Sequence, residues 1–157
     1  MSANPTDQFR LDGKVALVTG GSRGLGKEMV MAFARVGGDV VISSRKQDAC
    51  DALAKEVENE TGQRALGLAA HVADWDAMDD LAAKALDHFG HVDVLVNNAG
   101  MSLLYDDIRN VDEAHYDKVM DVNLKGTFRL SVLMGEQMAA GDGGSIRRAQ
   151  IAAAGAS

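Results

Sequence analysis

The chain has 157 residues, 46% of them apolar and 25% charged, which excludes disordered and fibrous classes and supplies a core for one domain, 1–157. Sixteen Lys and Arg against 23 Asp and Glu leave a net charge of −7, which disfavours general binding to nucleic acid. No apolar run approaches the roughly 20 residues needed to cross a bilayer, residues 1–10 carry no apolar signal core, and one cysteine, Cys50, excludes an intrachain disulfide framework. The expectation is a cytoplasmic protein that engages neither membrane nor nucleic acid.

Val15-Ala16-Leu17-Val18 is a short apolar run that enters the glycine-rich stretch 19–26, as a strand buried on both faces of a parallel sheet does. Residues 27–36 turn helical, with Met29, Val30, Phe33 and Ala34 apolar, and Gly37-Gly38 ends that helix. Val40-Val41-Ile42 is a second strand. Ala49, Leu53 and Val57 recur every fourth residue in a second helix that Gly62 closes, and 64–70 is a weaker third strand. Met78, Leu81, Ala82, Ala85, Leu86 and Phe89 mark a third helix ended by Gly90, and its acidic start, 74–80, suits a helix N-terminus. Residues 92–96 form a fourth strand that runs into Asn97-Asn98-Ala99-Gly100. After a loop, a long helix spans about 112–138. This strand–helix alternation predicts an α/β, Rossmann-like, doubly wound parallel sheet with helices on both faces.

Glycines between a strand and a helix let the backbone approach a phosphate and aim free helix N–H groups at it. Two ligands compete for residues 19–26. Gly21, Gly26 and Lys27 fit the skeleton of a nucleoside triphosphatase loop, which next needs Ser or Thr for Mg²⁺. This chain has Glu28 there, whose carboxylate would face phosphate. The remaining reading is a dinucleotide loop.

Thr19-Gly20-x-x-x-Gly24-x-Gly26 resembles the cofactor motif of the classical short-chain dehydrogenase/reductase family. The likeness continues in order and spacing. Asn97-Asn98-Ala99-Gly100 resembles the family's N-N-A-G segment, Asn123 its catalytic asparagine, and Gly143-Gly144-Ser145-Ile146 the entry to its fifth strand. The resemblance covers about residues 10–146. It implies hydride transfer between a nicotinamide and a small alcohol or ketone, with Gly20, Ser22, Arg23, Gly24, Leu25, Gly26, Asn98, Ala99 and Gly100 around the cofactor.

The end of the second strand selects the dinucleotide. An acid there would take the ribose hydroxyls and repel a 2′-phosphate. The chain has Ser43-Ser44-Arg45-Lys46, and by resemblance Ser44 stands where NAD-preferring members carry Asp. Arg23 and Arg45 beside a small hydroxyl residue suit a phosphate dianion. NADP(H) is therefore the expected cofactor, with NAD(H) as the alternative. Val72 matches the family's Asp-Val pair near the adenine; His71, in the Asp position, does not.

The resemblance also implies a serine, a tyrosine and a lysine in Y-x-x-x-K spacing, the lysine bringing a phenol with a pKa near 10 into working range. Of the four groups, the asparagine included, only Asn123 is legible. Tyr105 is followed at the fourth position by Arg109, and Tyr116 by Met120, so both read as loop or packing residues. Arg147-Arg148-Ala149-Gln150 stands where the serine-bearing strand should continue. Two arginines are costly in a central strand, so 147–157 is expected to be an aberrant tail that does not form one. The chain reads as a C-terminally truncated member, incomplete on that side of the sheet and catalytically incompetent alone. A compensated frame error between Ile146 and Ile151 would explain the tail. The alternatives are a non-catalytic dinucleotide-binding module and an inactive gene remnant.

Other features are weaker. His88 and His91 read as helix-end surface residues, and no metal site is expected. Acids around Cys50 argue against a reactive thiolate. Met101, Leu103 and Leu104 follow the N-N-A-G segment as pocket-lining or loop-packing residues. In the family, two long helices make the homo-oligomer contact. Only the first is present, so Val119, Leu124, Phe128, Leu130 and Leu133 are expected to leave an exposed apolar face and an impaired assembly.

Overall fold

A computed structural model of the chain describes residues 7–102 and 106–149. After a short 3-10 turn at Asp7–Phe9, strands and helices alternate. They are β1 (Val15–Thr19), α1 (Gly24–Arg35), β2 (Asp39–Ser44), α2 (Gln47–Thr61), β3 (Ala65–Ala69), α3 (Trp75–Phe89) and β4 (Val94–Asn97). A 3-10 turn at Ile108–Asn110 leads into α4 (Glu113–Met120), a π-helical segment (Asp121–Lys125), α5 (Gly126–Ala140) and β5 (Ser145–Arg148).

All five strands are parallel, in the order β3-β2-β1-β4-β5. β1 is central and every one of its residues is buried, which is why it reads as an unbroken apolar run. Helices cover both faces. Val18, Val40, Ile42 and Val96 pack with Val30, Met31, Cys50, Leu53 and Val57 of α1 and α2. Val15, Leu17, Val41 and Leu95 pack on the other face with Met78, Leu81, Ala85, Leu130 and Met134 of α3 and α5. The sheet is thus the middle of three layers, with the βα turns gathered at the C-terminal ends of its strands.

Local chemistry fixes the helix ends. Asp74 accepts from the Ala77 N–H at 3.0 Å to start α3, and Asp112 accepts from the His115 N–H at 2.8 Å to start α4. Gly62 and Gly90 close α2 and α3 in the left-handed conformation.

Three expectations are corrected. First, Ser145–Arg148 does form a strand, with Arg147 opposite Val96 and Arg148 opposite Asn97. Among the described residues β5 lies at the sheet edge and both arginines are exposed, so their guanidiniums stay in water and no burial cost arises. Second, the long helix is not uniform: the Gly126 N–H donates back to Asp121 O, inserting one wide turn around Asn123. Third, Leu130 is fully buried and Leu133 packs against the core, while Val119 is only half-buried, so the outer apolar face is narrower than expected. It comprises Leu124 and Phe128, 51% and 58% exposed, together with Val132 and Trp75. Leu103, Leu104, Tyr105 and the tail from 150 onward lie outside the described residues.

Candidate functional site

One cavity of about 820 Å³ opens over the C-terminal ends of β1, β2 and β4. Every residue assigned to the cofactor from the sequence lines it, from Gly20, Ser22, Arg23, Gly24, Leu25 and Gly26 through Ser44, Arg45 and Val72 to Asn98, Ala99 and Gly100. Ser43, Lys46, Ala49, Ala70, His71, Met101, Ser102 and Val122 also line it and were not in that set.

The loop from β1 to α1 is held from three sides. The Thr19 hydroxyl oxygen accepts from the backbone N–H groups of Asn98 and Ala99, both at 3.1 Å. The Asn98 side-chain amide donates to the carbonyls of Thr19 and Gly20, also at 3.1 Å. The Gly21 N–H donates to Ser43 O at 3.0 Å. The N-N-A-G segment is therefore a clamp on the glycine loop. Gly24 has φ of +55° and open space around it, and a Cβ on Gly26 would sit 2.7 Å from the Asn98 amide nitrogen. The loop thus needs glycine at these two positions for different reasons, backbone conformation and close approach.

The electrostatics point the same way. α3 and α4 start with aspartate caps, whereas α1 and α2 start at Arg23 and Lys46 with no side-chain cap. Both uncapped N-termini border the cavity, so free N–H groups and the positive ends of two helix dipoles face it. Arg23, Arg45 and Lys46 are exposed at its rim and have neither an ion pair nor a side-chain hydrogen bond among the described residues. Lys27, the lysine of the triphosphatase reading, instead donates to Glu56 at 2.8 Å and does not line the cavity. Ser43 carries the one buried side-chain oxygen without a partner among the described residues. An anionic ligand with further polar atoms suits this donor set.

Asn123 lies outside the cavity lining. Its side chain grips the residue after the N-N-A-G segment: the Met101 N–H donates to Oδ1 at 2.8 Å and Nδ2 donates to Met101 O at 2.7 Å. The wide turn of the helix presents this amide to the loop. Gly126 lies against Val72 so closely that a Cβ would overlap the Val72 carbonyl. Asn123 and Gly126 thus fasten the helix to two loops that border the cavity. The sequence flagged Asn123 only by resemblance, and Gly126 carried no signal beyond being glycine within an otherwise helical stretch.

His71 is exposed, and its Nδ1 accepts from the Ala73 N–H at 3.1 Å. His91 contacts Gly13 O and Asp93, and His88 stacks edge-on to Phe89, so both serve packing. No cluster of His, Cys, Asp and Glu able to hold a metal occurs among the described residues, and no helix there is long and apolar enough to cross a membrane.

A parallel 3-2-1-4-5 sheet with a glycine loop entering an uncapped helix defines the Rossmann-like class of nucleotide-binding folds. Within that class, residues 14–149 match the family model described as short chain dehydrogenase. Versicolorin reductase of Emericella nidulans is 36% identical over 78% of this chain and 46% of its own length. A 7α-hydroxysteroid dehydrogenase solved with NADH and 7-oxoglycochenodeoxycholic acid superposes with a TM-score of 0.87, at 32% identity over 92% of this chain and 56% of that one. The L-sorbose reductase of Gluconobacter frateurii, solved with NADPH and L-sorbose, gives 0.84, at 29% identity over 88% and 52%. The chain belongs to the short-chain dehydrogenase/reductase family. It spans about half the length of the curated relatives it matches.

Proposed function

We propose that this chain binds NADP(H) and forms the cofactor-holding part of an oxidoreductase acting on a small alcohol or ketone. The observation that carries the reading is that Arg23, Arg45 and Lys46, without an ion pair among the described residues, line the same cavity as Ser44, with no acid at the end of β2. A carboxylate there would repel a 2′-phosphate; a hydroxyl flanked by guanidiniums and an ammonium attracts it.

Each part of the cavity then has a task. Gly20, Ser22, Gly24, Leu25 and Gly26 bring the start of α1 against the pyrophosphate. Asn98, Ala99 and Gly100 lie beside the nicotinamide half, and Val72 beside the adenine. Asn123 fixes Met101 and with it the floor under the reacting end. When bound, the nicotinamide supplies hydride exchange with a carbonyl carbon. NADPH-bound and NADH-bound neighbours both occur in the family, so the preference rests on this chain's own rim residues. The proposal is tested by titrating the chain with NADPH and NADH. NADPH binds more tightly, and Arg45→Asp reverses the order. Equal affinities in the unmodified chain refute it.

A second reading, a dinucleotide-binding module without turnover, is favoured by one feature. Within these residues Tyr105 and Tyr116 are the only tyrosines, and neither has Lys at the fourth following position. Asn123 holds a backbone but has no useful acid–base pKa. The 157 residues alone therefore bind NADPH without oxidising it in the presence of ketones and aldehydes. Sustained turnover lost in Asn123→Ala refutes this second reading.

A further inference from the structure

Beside the cationic corner of the cavity stands a ring whose hydrogen-bonding role is already set. β3 is the outer neighbour of β2, and the Ala70 N–H donates to Ser44 O at 2.8 Å. The turn at residues 70–74 therefore leaves the sheet next to Ser44 and Arg45. Ala70, His71 and Val72 of this turn line the cavity. Its backbone is held: the Asp74 N–H donates to His71 O at 2.9 Å, and Val72 lies hard against Gly126. His71 is exposed, and its Nδ1 accepts from the Ala73 N–H at 3.1 Å. A backbone N–H can only donate, so Nδ1 carries no proton. The imidazole is then neutral with its proton on Nε2, and the ring nitrogen left for a ligand is a donor only.

We propose that His71 is a specificity-determining residue that reads the purine of the dinucleotide as a hydrogen-bond acceptor, so that the site favours a 6-oxopurine over adenine. The inference rests on the NADP(H) reading above. The base hangs on the same ribose as the 2′-phosphate. With that phosphate at Ser44, Arg45 and Lys46 and the pyrophosphate at the start of α1, the wall left for the base is the neighbouring turn with His71 and Val72. The 6-amino group of adenine only donates. Beside Nε2–H it sets donor against donor, and both lose water without gaining a partner. The 6-oxo group of hypoxanthine accepts, so it takes the Nε2 proton. A carboxylate at this position would do the reverse, accepting from the amine and repelling the oxo group. The Ala73 N–H thus acts on the choice of base without touching it, by fixing which ring nitrogen holds the proton.

The test measures dissociation constants for NADPH and for its counterpart with hypoxanthine in place of adenine, by fluorescence titration of the unmodified chain, His71→Ala and His71→Asp. NADH is titrated alongside, and thermal melts check that each variant folds. One hydrogen bond gained predicts that the unmodified chain binds the hypoxanthine form about two- to tenfold more tightly. His71→Ala removes that preference, and His71→Asp turns it into a preference for adenine. Equal or weaker binding of the hypoxanthine form by the unmodified chain, or a base preference that His71→Ala leaves in place, overturns the role of His71 and leaves the cofactor reading standing. Equal affinities for NADPH and NADH in the unmodified chain overturn the cofactor reading first, and this inference with it.

Discussion

Gly26→Ala probes the place where α1 meets the glycine loop. The added methyl would stand 2.7 Å from Asn98 Nδ2 and closer still to the Gly20 carbonyl, where real Cβ contacts stay beyond about 3.0 Å. Neither neighbour gives way freely. The Asn98 amide is committed to the carbonyls of Thr19 and Gly20, and the Gly20 carbonyl is part of the loop itself. Overpacking of this kind costs about 1–3 kcal/mol, and each of the two amide hydrogen bonds, if broken, adds about 0.5–1.5 kcal/mol. A loss of about 2–6 kcal/mol is a large share of a typical domain stability of about 5–15 kcal/mol. Gly24→Ala is the matched control. Its surroundings are open, so its cost is the left-handed backbone alone, about 1–2 kcal/mol. Urea unfolding and dinucleotide titration of both variants separate the effects. Gly26→Ala loses both stability and binding, whereas Gly24→Ala keeps most of its stability and still loses binding. Native stability and affinity in Gly26→Ala would refute the close approach, and full affinity in Gly24→Ala would refute a phosphate seat above this turn.

Asn123→Ala removes both hydrogen bonds to Met101, about 1–3 kcal/mol in total, and amide exchange at Met101 and Ser102 quickens; unchanged exchange would show that the loop is held otherwise. The His115 backbone N–H, and next its ring, hold the Asp112 carboxyl below its ordinary value of 3.8. A lowered folded-state pKa means stability that is full above that value and lost as pH falls through the folded value. The melting-temperature gap between the unmodified chain and Asp112→Ala is therefore widest above pH 3.8 and closes below it; a gap indifferent to acid would contradict the cap. Leu124→Lys with Phe128→Glu breaks the apolar surface beside Trp75, so light scattering of concentrated solutions falls; unchanged scattering would place self-association elsewhere.

The parts legible in the sequence are those where backbone demands leave few residue choices. Gly24 needs a positive φ, Gly26 must admit a carbonyl, and β1 must be apolar on both sides. Two features were hidden for physical reasons. Arg147 and Arg148 looked incompatible with a strand because burial was assumed, yet among the described residues β5 has a neighbour on one side and both side chains are exposed. The wide turn at Asp121–Lys125 inserts a residue without interrupting the apolar pattern. A uniform helix was therefore expected, and Leu130 was assigned to the outer face when it points into the core. Ser43 gave no sign of importance either, since an unpartnered hydroxyl becomes visible only once its neighbours are placed.

The distribution of charge leads to a last prediction. The chain carries −7, and half of its sixteen Lys and Arg are paired locally with a carboxylate: Arg10 with Asp12, Lys14 with Asp93, Lys27 with Glu56, Arg35 with Glu60, Arg64 with Asp39, Arg109 with Asp107, Lys125 with Asp121 and Arg129 with Asp79. Among the described residues Lys55, Lys84 and Lys118 also lack ion pairs but stand singly on separate helices, and Arg147 and Arg148 lack them side by side on β5. Among the described residues three cations without ion pairs border the cavity together with two uncapped helix N-termini. Such a rim acts on a doubly charged 2′-phosphate through exposed groups, so salt must screen it; the Debye length falls from about 10 Å at 0.1 M to about 3 Å at 1 M. NADH places no phosphate there and relies on the pyrophosphate seat shared by both dinucleotides. The ratio of NADH to NADPH dissociation constants therefore falls as salt rises from about 0.1 M to 1 M, and in Arg45→Ala the fall is shallower. If both dinucleotides weaken in parallel, the rim cations do not select the phosphate, and the discrimination assigned to Arg23, Arg45 and Lys46 is wrong.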